Sequence, residues 1–482
     1  MSIETITQRG RSLALVAALL GWMFDGMEMG LFPLVGNKAL QTMLTGDESQ
    51  HVNSWFAAIT AVFLVGAATG GVLFGWLGDK IGRVRAMTIS VFVYTSCSFL
   101  CGFAQAPIHF AILRFLGALG MGGEWALGVA LVMELWPNTS RGVLAGLIGA
   151  FGNLGYAIVG GISLLLNRIS SEIDVGPITS PGNWRLLMFA GAAPAVLTLF
   201  IRFYVPESQK WEKEKLSGHS KNWASIDLIA VLIGSCFALG IVFAWLNEKS
   251  ISLTVRILCT AVGLLLTIAC YLYPVWGYYS RAKAPTGERN KTILRMILAA
   301  GLSGVPLLAT WGGVMWVYKW VDKLTTNPDA RPITQISSAV GAAIGCFLAA
   351  ILCVRWGRRA VYAVLCVVSA ISLYGFYTLN TQFNLVFVLT AGLVGLITAA
   401  FYGWLPLYLP EIFPTSVRAT GQGFGYNFGR ILASIGTLQT GALLNYFDNS
   451  FAKACSMAAG FYVLGFILIW FAPETKGKPL PE

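Results

Sequence analysis

Glu134-Leu135-Trp136-Pro137 leads to Arg141, and far along the chain Glu411-Ile412-Phe413-Pro414 leads to Arg418 at the same Glu-x6-Arg spacing. Each copy ends one long apolar segment and precedes another. The match runs on downstream. Gly152-Asn153 lies as far from Arg141 as Gly429-Arg430 does from Arg418. Pro206-Glu207-Ser208 closes the first half, and Pro473-Glu474-Thr475 closes the second. Two repeated halves embedded in apolar sequence predict a secondary transporter built from two pseudo-symmetric bundles.

Composition supports a membrane chain. Of 482 residues, 56% are hydrophobic and only 11% charged, with a mean hydropathy of +0.69. A soluble protein of this length needs far more polar surface. Apolar runs long enough to span roughly 30 Å of hydrocarbon recur throughout. They predict an all-α membrane protein with helices near 12–36, 54–77, 87–107, 109–136, 143–167, 185–205, 225–246, 252–279, 294–320, 335–354, 360–379, 384–409, 419–446 and 453–472. The polar opening Met1–Arg11, followed by a full-length span containing two acids, argues against a cleavable signal peptide.

The net charge of +11 reports topology and implies no nucleic-acid partner. Most cations, including Arg9, Arg11, Lys80, Arg83, Arg85, Arg141, Arg202, Lys210, Arg281, Arg295, Arg355, Arg358, Arg359, Arg418, Lys476 and Lys478, fall on one predicted face. Fewer, among them Lys38, Lys249, Arg256, Lys319, Lys323 and Arg331, fall on the other. The positive-inside rule makes the first face cytoplasmic, with both termini there and an even number of helices. The chain is expected in the plasma membrane, or the inner membrane of a Gram-negative cell. Nine scattered cysteines without a Cys-x-x-Cys pair read as packing residues, and three unclustered histidines offer no metal site.

The predicted organisation is an N-terminal six-helix bundle over 1–206 and a C-terminal six-helix bundle with a short tail over 291–482. Between them, 207–290 holds cytoplasmic loops and an inserted helix pair that echoes neither half. The loop after the second helix reads Gly75-x3-Asp79-Lys80-x-Gly82-Arg83-x-Arg85. Its glycines permit a tight turn and close helix approach. Its charges can pair with Glu134, Arg141 or Glu207 across the cytoplasmic mouth, and such pairs must break when that mouth opens. The second half keeps Arg355-Trp356-Gly357-Arg358-Arg359 but lacks the acid; with Glu411 and Arg418 it completes the predicted gate. The plainer alternative is topogenic charge alone.

These motifs resemble those of the major facilitator superfamily over nearly the whole chain. Asp25-Gly26-Met27-Glu28 resembles the Asp-Gly-Phe-Asp motif of the organic-acid proton symporters, the aromatic-acid and sialate families. Glu28 stands where the second Asp is usual. Arg114 with Gly120-Met121-Gly122-Gly123-Glu124 resembles the fourth helix of sialate symporters, and fourteen helices also fits that group. The Glu-x6-Arg and Pro-Glu-Thr-Lys-Gly pieces resemble sugar porters as much as acid porters.

Five charges remain well inside the predicted spans: Asp25, Glu28, Glu124, Arg114 and Arg430. A charge at the bilayer centre costs about 2.5–3.5 kcal/mol on insertion scales, so such residues pair, face water or work. Asp25 and Glu28, one turn apart, disfavour each other's ionisation in a poorly solvated cavity, the property a proton carrier needs. Glu124 lies on a face with Gly117, Gly120 and Gly128. The three acids are candidates for proton coupling, or else for helix pairing with Arg114, Arg430 or a backbone group.

Gln422, Tyr426, Arg430 and Thr437 form a polar stripe with Asn427 beside it, a face suited to a water-filled cavity. Arg430 fits a substrate carboxylate or an acid of a gating pair. Asn153 is its counterpart in the first half, and Trp311 and Tyr402 sit deep enough to line a central site, Trp311 for ring stacking or packing. Arg114, Asn153, Trp311, Tyr402, Gln422, Tyr426, Asn427 and Arg430 are therefore the candidate substrate-binding residues.

The resulting expectation is proton-coupled uptake of a small carboxylate, such as a sialic acid, by alternating access, in a chain functional as a monomer. No cofactor is implied, no phosphate-binding Gly-x4-Gly-Lys loop occurs, and no nucleophile cluster suggests an enzyme. A neutral-sugar porter and a non-transporting sensor on the same fold are the alternatives.

Overall fold

The computed structural model describes residues 8–136, 140–169, 184–248, 250–448 and 450–482. Pro137 and Lys249 lie outside the described residues, as do the side chains of Arg9 and Arg202. Helices account for nearly all of the rest, with no strand among the described residues.

The first half comprises α1 (Gln8–Met43), α2 (Val52–Ile81), α3 (Arg83–Cys101), α4 (Pro107–Leu135), α5 (Arg141–Ile169), α6 (Trp184–Ala190) and α7 (Ala195–Tyr204). A short polar helix α8 (Gln209–Leu216) leads to the inserted pair α9 (Ile226–Leu246) and α10 (Leu253–Arg281). The second half begins with α11 (Thr286–Gly312), α12 (Val317–Leu324), α13 (Ala330–Trp356), α14 (Arg358–Leu379) and α15 (Leu385–Thr398). It continues through α16 (Phe401–Ile412), α17 (Arg418–Asn427), α18 (Gly429–Tyr446), α19 (Phe451–Ser456) and α20 (Phe461–Leu468).

Twelve helical segments among the described residues are long and apolar enough to cross a membrane. The other two predicted spans, 185–205 and 419–446, are present as the interrupted pairs α6/α7 and α17/α18. Pro194 caps α7, and proline disfavours helix in the residue before it, which accounts for the first break. Predicted spans 294–320 and 384–409 are also divided, at Gly312-Gly313 and at Ala399-Ala400.

Small residues set the helix crossings. A Cβ on Gly26 of α1 would fall 1.7 Å from the Gly152 carbonyl oxygen of α5, and one on Gly155 would fall 1.7 Å from the Met23 oxygen. Gly70 and Gly122 allow the same approach between α2 and α4. The halves meet symmetrically, α2 against α17 and α18, and α13 against α5.

The inserted pair packs on itself and on α2. Thr69 Oγ1 lies 3.0 Å from Ser235 Oγ and 2.7 Å from Tyr271 Oη. Buried Asp227 accepts from Trp76 Nε1 at 3.2 Å and Arg281 Nη2 at 2.6 Å. Beyond these polar ties α10 faces outward, with Leu258 and Leu265 well exposed. An apolar face of that kind suits lipid.

Candidate functional site

The central cavity lies where both halves meet. It holds about 920 Å³ of space, part of it open, and is lined by α1, α4 and α5 from one side and by α11, α12, α13, α15, α16, α17 and α18 from the other. Three interior helix breaks of the second half border it. Thr310 and Val314 flank the first, Thr398 and Tyr402 the second, Tyr426 and Arg430 the third. Backbone interruption at membrane depth is tolerated where it lines such a cavity.

Aromatic rings form the walls. Trp125 stacks on Tyr426 at 3.6 Å and 3°, Trp22 stands 5.4 Å from Trp125, and Tyr402 meets Tyr426 edge-on at 6.4 Å. Thr310 Oγ1 and Tyr402 Oη are 3.1 Å apart. Asn153 Nδ2 donates to the Gly149 carbonyl at 2.9 Å.

Charge sits at two places. Arg430 lines the cavity with its guanidinium carbon 5.4 Å from the Tyr426 ring centroid. Its Nε and Nη1 are buried without hydrogen-bond partners. Asp25 lines the opposite wall, within electrostatic reach of Arg430 and of Glu124. Asp25 Oδ1 and both Glu124 oxygens are also buried and unpartnered. Glu28, by contrast, is fully engaged. It pairs with Arg114 Nη1 and accepts from Ser98 Oγ at 2.5 Å. Arg114 is further flanked by the Phe63 ring at 4.3 Å.

A second charged cluster closes the face where α2 ends. Arg83 reaches Asp79 at 3.1 Å and Glu134 at 3.2 Å, and Arg418 of the other half reaches the same Glu134 oxygen at 2.8 Å. Asp79 accepts from the Thr420 amide at 2.8 Å, the Thr420 hydroxyl at 2.7 Å and the Ala419 amide at 3.3 Å. Gly75 is what lets α2 come so near, since a Cβ there would fall 2.6 Å from the Ala419 oxygen.

The second half repeats the pattern. Arg358 pairs with Glu411 at 2.6 Å, Thr475 donates to Glu411 as Ser208 donates to Glu134, and Gly357 has φ +95° where Gly82 has +113°. Val354 stands where Asp79 would be, so no matching bond crosses from α13 to α5. Arg141 lies within electrostatic reach of Glu411 but leaves Nε and Nη1 unpartnered. The two cross-links of the repeat are therefore unequal, Arg418–Glu134 made and Arg141–Glu411 not.

Glu207 and Glu474 take equivalent posts at the starts of α3 and α14. Glu207 accepts from the Arg83 and Val84 amides, and Glu474 from those of Arg358 and Arg359. Burial dominates at Glu207 and pushes its carboxyl above the usual carboxylate value. At the more open Glu474, burial acts the same way but the backbone donors outweigh it and hold the carboxyl low.

A family model described as Major Facilitator Superfamily matches residues 13–321, and one described as Sugar (and other) transporter matches 325–477. The chain belongs to the major facilitator superfamily. It is a multi-pass membrane transporter, not an enzyme. This transporter is 27% identical to the probable 4-methylmuconolactone transporter of Cupriavidus pinatubonensis, over 96% of this chain and 90% of that one. It is 31% identical to the sialic acid transporter NanX of Escherichia coli, over 47% of this chain and 53% of that one. Its fold resembles that of the proton:xylose symporter XylE bound to 6-bromo-6-deoxy-D-glucose, with a TM-score of 0.71 at 19% identity, covering 98% of this chain and 97% of that one.

Within this transporter the candidate binding residues separate. Asn153, Tyr402, Tyr426 and Arg430 line the central cavity. Arg114 and Trp311 line an adjoining one instead. Gln422 and Asn427 belong to neither. Gln422 donates to the Ala126 carbonyl at 2.6 Å and Asn427 to the Gly122 carbonyl at 3.1 Å, joining α17 to α4. Both share α17 with Tyr426, and their hydrogen bonds direct them to α4 while the Tyr426 ring borders the cavity. Among the gate residues Lys80 forms no ion pair with the described residues and lies over the Trp76 ring at 4.5 Å, while Glu207 acts through backbone amides. Trp22, Trp125, Tyr156 and Tyr318 also line the cavity and are not among the candidate binding residues drawn from the sequence. Trp125 follows Glu124 directly, and Trp22 precedes Asp25 by one helical turn, a signal available once those acids are placed.

Proposed function

We propose that this transporter couples proton entry to uptake of a small carboxylate, with Arg430 holding the substrate's carboxylate and Asp25 and Glu124 carrying the proton. The observation that carries this reading is the buried Arg430 guanidinium, with Nε and Nη1 lacking hydrogen-bond partners, in a cavity formed by both halves and also lined by Asp25. With Asp25 ionised, its field occupies Arg430. Protonation of Asp25 frees that positive charge for an incoming anion, so proton and substrate load together. A planar fork of donors matches a carboxylate better than it matches a sugar hydroxyl.

The relatives named for 4-methylmuconolactone and for sialic acid support an acid over a neutral sugar. The cavity favours an acid with an apolar body, because aromatic and other apolar side chains make up most of its wall. In this reading the bundles are 1–206 and 291–482, with 207–290 inserted between them. The charged gate faces the cytoplasm, and the host membrane is the plasma or inner membrane.

Uptake into proteoliposomes, with and without an inward proton gradient, tests the proposal. Labelled 4-methylmuconolactone and labelled sialic acid serve as acid probes and labelled xylose as the neutral one. Concentrative, gradient-dependent uptake of an acid is expected. Uptake of xylose alone, indifferent to the gradient, overturns the reading.

A further inference from the structure

Two more cavities continue from the central one toward the face opposite the charged gate. The middle cavity shares Met29, Met315 and Tyr318 with the central cavity. The outer cavity, at the far ends of α1 and α18, shares Trp316, Lys319 and Thr437 with the middle one. The three cavities thus adjoin one another in sequence from the outer face to the one that holds Arg430, and Lys319 lines both the outer and the middle one.

The charges along this route are unequal. Each acid lining the outer cavity is paired, Asp322 with Arg331 and Glu248 with Arg256. In the middle cavity Arg114 is matched by Glu28. Lys319 has no ion pair or hydrogen bond among the described residues. Its Nζ lies 4.1 Å from the Phe56 ring centroid and 5.1 Å from that of Trp316. Two ring faces hold the ammonium in place without consuming its charge, which stays available to an anion. Lys323, without an ion pair among the described residues, adds a second cation to the outer cavity wall. A charge of one sign in a low-dielectric funnel raises the local concentration of the opposite ion and speeds its entry.

We propose that Lys319, held between Phe56 and Trp316, is an outer recruitment site that captures the carboxylate before it passes to Arg430. The inference rests on the reading of the substrate as an acid. Because the site lies on one side of the membrane only, its effect is directional. Such a charge governs capture and its salt dependence more than the affinity of the site beyond.

The test compares influx and efflux of labelled 4-methylmuconolactone and labelled sialic acid in cells expressing wild type, Lys319→Gln and Lys319→Arg. For whichever acid the wild type carries, Lys319→Gln should raise the half-saturation concentration for influx about threefold to tenfold at low ionic strength. Efflux should keep its wild-type half-saturation. The influx difference should shrink as salt is raised, because screening removes the steering that the mutant already lacks. Lys319→Arg should restore wild-type influx. An unchanged influx half-saturation in Lys319→Gln, with an acid still carried, overturns the recruitment site alone. A fall in maximal rate in both directions, without a change in half-saturation, also overturns it and makes Lys319 a structural or gating residue. Wild-type uptake of xylose and neither acid would overturn both this inference and the proposed function.

Discussion

Glu28 and Asp25 sit one turn apart on α1, yet their surroundings give them different work. Glu28 is the partner of buried Arg114, so Glu28→Gln leaves a guanidinium in the interior with no counter-charge. Breaking such a pair costs about 3–5 kcal/mol, while removing both charges is far milder. Thermal unfolding in detergent should show a clear loss of Tm for Glu28→Gln and recovery of most of it in Glu28→Gln/Arg114→Gln. Equal stability of wild type and the single variant would refute the pairing role. Asp25→Asn and Glu124→Gln should act differently. Concentrative, pH-driven uptake should be lost in at least one, while exchange of labelled for unlabelled substrate, which needs no net proton movement, survives. Arg430→Gln should damage both modes together. The sequence exposed all five interior charges because a charge in an apolar span stands out. It did not tell which acid faces which cation, since that depends on helix rotation and on contacts as distant as Ser98 to Glu28.

At the scale of elements, the position of a crossing is set by the residue without a side chain. Gly26 and Gly155 meet backbone oxygens of the facing helix so closely that a methyl group cannot fit without separating α1 from α5. Gly155→Ala should cost about 1–3 kcal/mol or more through overpacking, read as a lower Tm and reduced uptake. Gly161→Ala, on the same helix with open space at its Cβ position, should change neither. Nothing in the sequence ranks one of the 54 glycines above another in this way, since the distinction lies in the partner helix. The helix breaks were partly legible. Gly312-Gly313, Pro194 and Gly429 after Phe428 are visible punctuation, whereas Ala399-Ala400 are good helix residues, and there tertiary packing around the cavity overrides propensity.

The whole molecule must close one face while it opens the other, and the repeat shows how the balance is set. Cation placement predicts that reporters fused at Met1 and Glu482 both register as cytoplasmic; a signal from the far side at either end would refute the even number of crossings. The motif pair was legible because both copies keep their spacing, but its inequality was not, since only the structure shows Arg418 reaching Glu134 while Arg141 stops short of Glu411. That inequality yields a prediction. Asp79 receives the first amides of α17 and the Thr420 hydroxyl, and through Arg83 it joins the Glu134–Arg418 link, so it fastens the two halves in this closed state. Asp79→Asn keeps the shape but loses the charge. Hydrogen bonds to a charged group contribute about 1.5–3 kcal/mol, enough to move the closed–open equilibrium tenfold or more. Amide hydrogen exchange at Ala419 and Thr420 should therefore quicken in Asp79→Asn, and uptake should slow while substrate binding persists. Arg141→Ala removes a side chain that makes no ion pair with Glu411 in this state and whose Nε and Nη1 lack partners among the described residues. It should leave exchange at those two amides at the wild-type rate, and it should slow uptake only if Arg141 finds Glu411 in another conformation of the cycle. Faster exchange in Arg141→Ala than in Asp79→Asn would mean that the closed face is held by a different set of bonds.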